Sequence, residues 1–456
     1  MTIQTMPTNA APGSTSIKVD RAAYFARLLE LRQDLNPDLS AEVAGWLAEV
    51  RQRALAEVRS HAIPTTRDEE WRFTDLAPLL AVEFQTSQGQ AAAVEPEMIQ
   101  HLLLPEASQT RLVFVNGRYA PWLSAVASLP QGVWVGSLSD ADLLAALHSD
   151  LPAYLGQQQA LEQTFTALNT ASLSDAAVVW LPRNTVLETP VHLLFLSTAT
   201  DTPLLAQPRC LVVAAPNSAV TLVEDYATVG SGVCFTNAVT EIWLAENAQV
   251  SHTRLQRDRP TAFHIGKTAV SQEKTSRYTC NAINLGGAIA RHNLEIFQTG
   301  EQTETILNGL TLASGQQLSD THSLIAYSKP YGMSRQLQKC IVGDQAHTVF
   351  NGKVRVPQAA QLTDAGQLNR NLLLSPRGRV DTKPQLEIVA DNVKCTHGAT
   401  VSQLAADEVF YLQSRGIDAA SAQALLIYAF AAEVIEKIPL PSLKQSLSQV
   451  VENLAQ

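Results

Sequence analysis

Gln249-Val250-Ser251-His252-Thr253-Arg254-Leu255, Glu304-Thr305-Ile306-Leu307-Asn308-Gly309-Leu310, His322-Ser323-Leu324-Ile325-Ala326 and Val354-Arg355-Val356 are short strand-like segments set between small or polar turns, and their reading decides the fold. They belong to a stretch of roughly 220 residues past Val178 in which helical period nearly vanishes. Turn-like cores recur loosely within it as Pro216-Asn217-Ser218-Ala219, Glu246-Asn247-Ala248, Gly300-Glu301-Gln302 and Gly343-Asp344-Gln345, with starting positions 30, 54 and 43 residues apart. Such a series suits a sandwich or barrel, or a β-solenoid whose coils stack without sequence-distant pairing. The stretch is too long for one ordinary sandwich, and its low charge suits stacked sheet faces. The solenoid is therefore favoured, although the irregular spacing leaves both architectures open.

On either side the period turns helical. From Arg21 to Arg59, residues such as Tyr24, Leu28, Leu31, Val43, Leu47, Val50 and Val58 recur mostly at three- and four-residue steps, and Asn36-Pro37 splits the run into two helices. Gln85 to Pro96 reads as a loop. Arg111 to Tyr119 reads as a hairpin, because Leu112-Val113-Phe114-Val115 meets Asn116-Gly117. Helical spacing returns between Ala141 and Leu168. Past the strands, Asp407 to Ser414 is helical and Gly416 stands where a terminating glycine belongs. Asp418 caps a second helix, Ala419 to Ile438, with Leu426, Phe430, Val434 and Ile438 on one stripe. Pro439 and Pro441 end it, and Leu443 to Leu454 forms a last amphipathic segment. This hairpin is expected to pack on its own chain rather than serve only as a docking handle. The expected division is a disordered tail over 1–16, a mixed, largely helical region over 17–177, a β core over 178–403 and a helical domain over 404–456.

Composition narrows the function. The chain of 456 residues is 46% hydrophobic and 17% charged, so it buries a large core and most of it is not disordered. With 33 Lys+Arg against 43 Asp+Glu the net charge is −10, which lacks the cationic footprint of a nucleic-acid binder. Apolar runs such as Leu211 to Ala215 fall far short of the ~20 residues of a membrane span. Met1 to Ser16 has neither a basic nor an apolar signal region, so secretion is not expected. The cysteines at 210, 234, 280, 340 and 395 are odd in number and contain no Cys-x-x-Cys, which fits a reducing, cytoplasmic setting.

Most motifs dissolve on inspection. His264-Ile265-Gly266-Lys267-Thr268 lacks the glycine a phosphate loop needs at Thr261, and no helix pattern follows it. Gly230-Ser231-Gly232 ends in Phe235 where the dinucleotide fingerprint needs Gly or Ala. No nucleotide site is expected. Histidines 252, 264, 292, 322 and 347, spaced by 12, 28, 30 and 25, are assigned no role, since an isolated strand histidine is more often structural. Asp391-Asn392-Val393-Lys394-Cys395-Thr396-His397-Gly398-Ala399-Thr400 is sharper. In an extended segment Cys395 and His397 share one face about 7 Å apart, with Thr396 opposite. Thiolate and imidazole together suit iron or zinc. Two ligands do not close a site, because zinc and iron–sulfur centres take about four; the simpler reading is a buried cysteine beside a structural histidine.

Lys383-Pro384-Gln385-Leu386-Glu387-Ile388, the segment from Asp391 to Thr400, and Phe410-Tyr411-Leu412-Gln413-Ser414-Arg415-Gly416-Ile417 closely resemble the C-terminal signature of the SufB/SufD family of iron–sulfur cluster assembly proteins. Glu69-Glu70-Trp71-Arg72-Phe73-Thr74 resembles its N-terminal motif, and Phe165 with Ala167-Leu168-Asn169-Thr170-Ala171 the segment that enters its core. Ser174-Asp175-Ala176 departs from the pattern, which has Asp-Gly, and is expected to touch only a turn. His397 lies between Thr396 and Gly398 rather than between glutamates, which resembles the SufD branch more than SufB. The resemblance implies a right-handed parallel β-helix with helical regions at both ends, acting as a non-catalytic scaffold. It implies docking of a SufC-type ATPase through roughly Leu404 to Ile438, with Phe410, Tyr411, Arg415, Gly416, Leu426 and Phe430 as contacts. It implies pairing of the β-helix end with a SufB-type paralogue, where His397 and Cys395 would handle transient iron or a nascent Fe–S cluster; no stably bound cofactor is expected, and self-dimerisation is a second assembly. The competing function is a secreted-type β-helix polysaccharide lyase or hydrolase, which needs clustered carboxylates, whereas Asp364, Asp381 and Asp391 are scattered.

Overall fold

The structure, a computed structural model, describes residues 20–32, 39–86, 94–127, 129–160, 163–199 and 201–454. The N-terminal tail, the Asn36-Pro37 break and most of the Gln85–Pro96 loop lie outside these. Two sheets of eleven and ten strands stack as the two walls of a parallel β-solenoid. From Val186–Ala199 to Lys394–Gln403 the first wall advances through eight parallel strands, one per coil. The second wall alternates with it and ends at Arg379–Ile388. From Gln249–Arg257 onward each coil adds eight to ten paired residues per strand in unbroken register, as in Ile289–Gln298 against Leu318–Tyr327, whereas the first wall begins with a register shift between Leu187 and Val191.

One corner repeats through the molecule and explains why the period is hard to see. Asn184, Asn217, Asn247, Thr275, Gln302, Tyr331 and Leu362 all have φ near +60°. Each donates its N–H to a carbonyl of the next coil: Asn217 to Glu246 at 3.0 Å, Thr275 to Glu301 at 2.9 Å, Tyr331 to Gln361 at 3.0 Å and Leu362 to Asn392 at 2.7 Å. Asparagine suits this left-handed corner, and the first three corners add a side-chain ladder, Asn247 to Asn217 at 3.0 Å and Asn217 to Asn184 at 2.8 Å. The cores at 216–219, 246–248 and 300–302 belong to this column; the corner at Thr275 falls between the second and third. The fourth, at Asp344 (φ 46°), lies on the opposite corner, where its carboxylate accepts from Gly315 N at 2.8 Å. Mixing two columns and skipping a coil produced the irregular spacing.

The helical ends form largely where periodicity places them. Arg21–Glu30 and Ala41–Ser60 are capped by Asp20 and Ser40, and their buried faces carry Tyr24, Leu28, Val43, Leu47, Val50 and Val58. Thr110–Val115 turns at Asn116 (φ 52°) and Gly117 (φ 81°) into Arg118–Tyr119, as the hairpin signal demands, and then joins the first wall beside Val186–Ala199. The helical reading of 141–168 resolves into Ala141–Leu147, a short turn at Leu151–Ala153 and Thr164–Ala171. The last of these is buried from Phe165 to Ala171 and enters the core: Asn169 Nδ2 donates to Pro208 O at 3.0 Å and Asn237 O at 2.8 Å. Asp175 does more than occupy a turn. Its buried carboxylate accepts from Ser137 Oγ at 2.6 Å, Tyr119 N at 3.1 Å and Ala176 N at 2.8 Å, pinning three segments together.

At the other end, helices Ala406–Ser414, Ala419–Ile435 and Pro441–Leu454 follow the last strand. The second packs on the outer face of the first wall, where consecutive coils present Leu255, Ile283 and Leu310, then Leu312, Ile341 and Leu372, in register. The hairpin thus packs on its own chain, as expected. Its buried line is Ile427, Ala431, Val434, Ile435 and Ile438, while Leu426 and Phe430 are only half-buried. A strict four-residue step drifts off a 3.6-residue helix, so the stripe centres on Ile427 and Ala431 rather than on Leu426 and Phe430.

Candidate functional site

The two final strands, Arg379–Ile388 and Lys394–Gln403, each pair on one side only, with His347–Val356 and Asp364–Leu373. The solenoid therefore ends in bare strand edges. Nothing in the described residues covers the last coil's interior face, and Ile388, Val389 and Val401 stand exposed beside it. Exposed edges with apolar side chains are pairing surfaces.

Register fixes which way the site residues face. Cys395 pairs with Ala365 and His397 with Gln367, both buried residues that point into the solenoid. Cys395 and His397 therefore continue the interior columns onto the open end. Cys395 packs against the interior apolar cluster and is half-exposed; His397 is exposed. Burial pushes the Cys395 thiol above its ordinary value, and the Asp364 carboxylate adds to this. Among the described residues no three His, Cys, Asp or Glu side chains gather into a metal cage, so this pair offers two of the roughly four ligands a closed centre takes.

Behind the pair, the interior of the solenoid is unusually polar. Glu224 meets His252 Nε2 at 3.0 Å, and His252 Nδ1 lies 2.9 Å from the Tyr278 hydroxyl. Asp258 meets His264 Nδ1 at 2.9 Å, and Arg254 lies 2.6 Å from the other nitrogen of that ring. Burial alone would lower the His252 pKa, but hydrogen bonds with Cys280 and Glu224 push it up to about 9. His292 Nε2 lies 3.0 Å from Thr268 Oγ1, and His347 meets Asp381 at 2.7 Å. These four strand histidines are thus held by partners of the fold itself.

A second polar network fastens the N-terminal motif to the outer face of the second wall. His322 bridges Glu70 at 3.1 Å and Asp320 at 3.0 Å, and Arg291 donates to the Glu70 carbonyl at 2.8 Å with its guanidinium 4.0 Å from the Trp71 ring centroid. The hydrogen bond from His322 holds the Glu70 carboxyl at about 2 against the upward push of its burial. Beside this network lies a groove of about 670 Å³ that Trp71, Phe165, Lys267, Asn293 and Lys353 help line. Sequence reading missed the network, because its partners lie some 250 residues apart.

The C-terminal residues divide by exposure. Phe410 is 71% exposed and Tyr411 57%, on a helix with no buried residue. Arg415 donates to the Tyr411 hydroxyl at 3.2 Å, and Gly416 follows the helix end. Phe430 faces its own chain in part: Lys339 Nζ lies 4.3 Å from its ring centroid and donates to its carbonyl at 2.8 Å. The carboxylates of the competing reading remain apart. Asp364 pairs with Arg335 at 3.0 Å, Asp381 with His347 and Arg379, and Asp391 accepts from Gln358 at 3.1 Å.

Comparison with known proteins gives a consistent picture. Residues 195–430 match the SufBD core domain of the SUF system for FeS cluster assembly, and residues 24–193 match the SufBD N-terminal region. An iron–sulfur cluster assembly SufBD family protein of Synechocystis is 48% identical over 413 residues, covering 89% of this chain and 90% of that protein. Iron–sulfur cluster assembly protein SufD of Escherichia coli is 33% identical over 399 residues (87% and 90%), and the chloroplastic protein ABCI7 of Arabidopsis thaliana 33% over 461 (98% and 95%). A parallel β-solenoid with helical ends, matched along both its regions, identifies the chain as a member of the SufBD family of iron–sulfur cluster assembly proteins.

Proposed function

We propose that this chain is the SufD-type, non-catalytic scaffold subunit of a cluster assembly complex, and that its open solenoid end pairs with a SufB-type paralogue. The observation that carries the reading is the placement of Cys395 and His397. They continue the interior columns onto an uncovered coil, where a second chain's strands can supply the missing ligands. The nascent cluster, or the iron destined for it, is cargo at that junction rather than a resident cofactor. Two copies of this chain joined through the same end form the second assembly, and the partner mixture in solution selects between them.

A SufC-type ATPase docks on Phe410, Tyr411 and Arg415, with Leu426 and Phe430 at the flank. Motion of those helices reaches the site through the wall they lie on. Lys339 is tied to Phe430, Leu372 lies under the second helix, and the strand that holds Leu372 is the neighbour of Lys394–Gln403. Nucleotide-driven motion would shear that wall and open the junction to iron or sulfide. The scattered, separately paired carboxylates do not favour the polysaccharide reading. The test is His397→Ala and Cys395→Ser in the complex reconstituted with both partners, following cluster absorbance. Loss of assembly is expected, and an unchanged rate in both variants would remove the pair from the mechanism.

A further inference from the structure

The interior column that ends at His397 is built, over its last coils, of stacked amides. Register aligns Leu307, Gln336, Gln367 and His397 on successive strands of the first wall. Gln336 Nε2 donates to Ser323 Oγ of the opposite wall at 2.8 Å, and Gln367 Nε2 donates to Gln336 Oε1 at 2.8 Å. The Gln367 amide is held in place from the far side: a Cβ on Gly352 would come within 2.2 Å of its Nε2, so only glycine leaves room for it. The ladder therefore has a direction, each amide donating toward the deeper coil.

That direction leaves one atom over. Gln367 is 4% exposed, and its Oε1 is buried with no hydrogen-bond partner among the described residues. An unpaired buried acceptor costs about 1–3 kcal/mol, and buried polar groups are nearly always paired. The next residue up the column is His397, whose ring makes no hydrogen bond among the described residues. Adjacent strands lie about 4.8 Å apart, within reach of an imidazole N–H from an amide oxygen.

We propose that Gln367 is the positioning residue for His397, its Oε1 accepting the N–H of one ring nitrogen so that the other presents its lone pair at the open end. A neutral imidazole has one donor and one acceptor nitrogen, and whatever engages the donor sets the tautomer. The Ser323–Gln336–Gln367 ladder thus does for His397 what a carboxylate or carbonyl does behind a metal-binding histidine. The inference rests on the reading of His397 as a cluster-handling group, and it gives the polar interior of the last coils a purpose.

The test uses the full chain with ¹⁵N-labelled histidine rings, the His397 signals being assigned by their loss in H397A. One protonated and one unprotonated nitrogen are expected in the parent protein. Gln367→Met should bring the two signals together, whereas Gln338→Met, which removes an interior amide from the neighbouring column, should leave them apart. Gln336→Met, one coil deeper, frees the Gln367 amide and should show the same averaging if Q367M does not fold. In the reconstituted complex Q367M should slow cluster formation about tenfold, the lower end of what loss of such a partner costs, with no further effect on top of H397A. Unchanged ring signals in both Q367M and Q336M would overturn the proposal. The spectra come from the free chain, so a normal assembly rate in H397A would instead overturn the site reading and leave the coupling standing.

Discussion

Phe410→Ala separates a docking surface from a packing surface. A phenylalanine side chain offers roughly 200 Å², and Phe410 is 71% exposed, so about 140 Å² remains for a partner to cover. At about 25 cal/mol per Å² that is at most about 3.5 kcal/mol. Ordering the ring on binding returns about 1 kcal/mol, leaving about 2–3 kcal/mol, or about 30- to 150-fold in Kd for the SufC-type ATPase. The fold itself should barely register the change, within about 0.5 kcal/mol, because surface truncations away from caps and cores cost little. Val434→Ala is the opposite case. Val434 is fully buried against the outer ladder of the solenoid, and its truncation should cost the fold about 2 kcal/mol from lost methylenes and the cavity left behind. Calorimetric titration of the ATPase and thermal denaturation, run on both variants, read the two quantities separately. F410A that binds with unchanged affinity, or that melts as early as V434A, would refute the reasoning.

Three further outcomes follow from the interior. Glu241 accepts from Arg209 Nε at 3.2 Å and from Gly156 N at 2.9 Å with both charged side chains fully buried, so Glu241→Ala leaves a lone buried guanidinium and should cost about 3–5 kcal/mol in a urea titration; a loss below about 1 kcal/mol would contradict this. Gly352→Ala drives a methyl into Gln367 and Phe350 and should lower stability by about 1–3 kcal/mol, with cluster assembly slowed as well; an unshifted melting curve would count against the packing described here. His252 has its pKa raised from 6.5 to about 9 in the fold, so its stabilising contribution is complete below pH 6.5 and is lost as pH rises through 9. The melting temperature should fall over that window and the fall should shrink in His252→Gln, whereas an identical profile in the two proteins would show that the Glu224–His252 pair carries no charge.

Much of the fold was legible in the sequence where one residue type carries one local job. Asp418 caps a helix, Asn116-Gly117 turns a hairpin, and short alternating segments such as Val354-Arg355-Val356 make strands. The coil period was harder to see. Its corner demands φ near +60° yet is filled by Thr275, Gln302, Tyr331 and Leu362 as well as by asparagine. Those residues tolerate the corner because inter-coil hydrogen bonds over-determine it, a cause that no local signal reveals. The same holds at the site. Cys395 and His397 could be placed on one strand face from their spacing alone. That this face is the interior of an open coil, and that Gln367 stands behind His397, became visible only once the register was known. Asp175 shows the reverse error, since a residue in a connecting segment proved to be a buried anchor.

The central claim is that a second polypeptide closes over the last coil, and amide hydrogen exchange along Arg379–Ile388 and Lys394–Gln403 tests it most directly. In the free chain the edge-facing amides of these strands should exchange fast, while those bonded to the preceding coil exchange slowly. On adding the SufB-type paralogue the fast set should become protected, together with the amides flanking Cys395 and His397. Equal exchange with and without the paralogue, under conditions where the two chains demonstrably associate, would place the junction elsewhere and contradict the account.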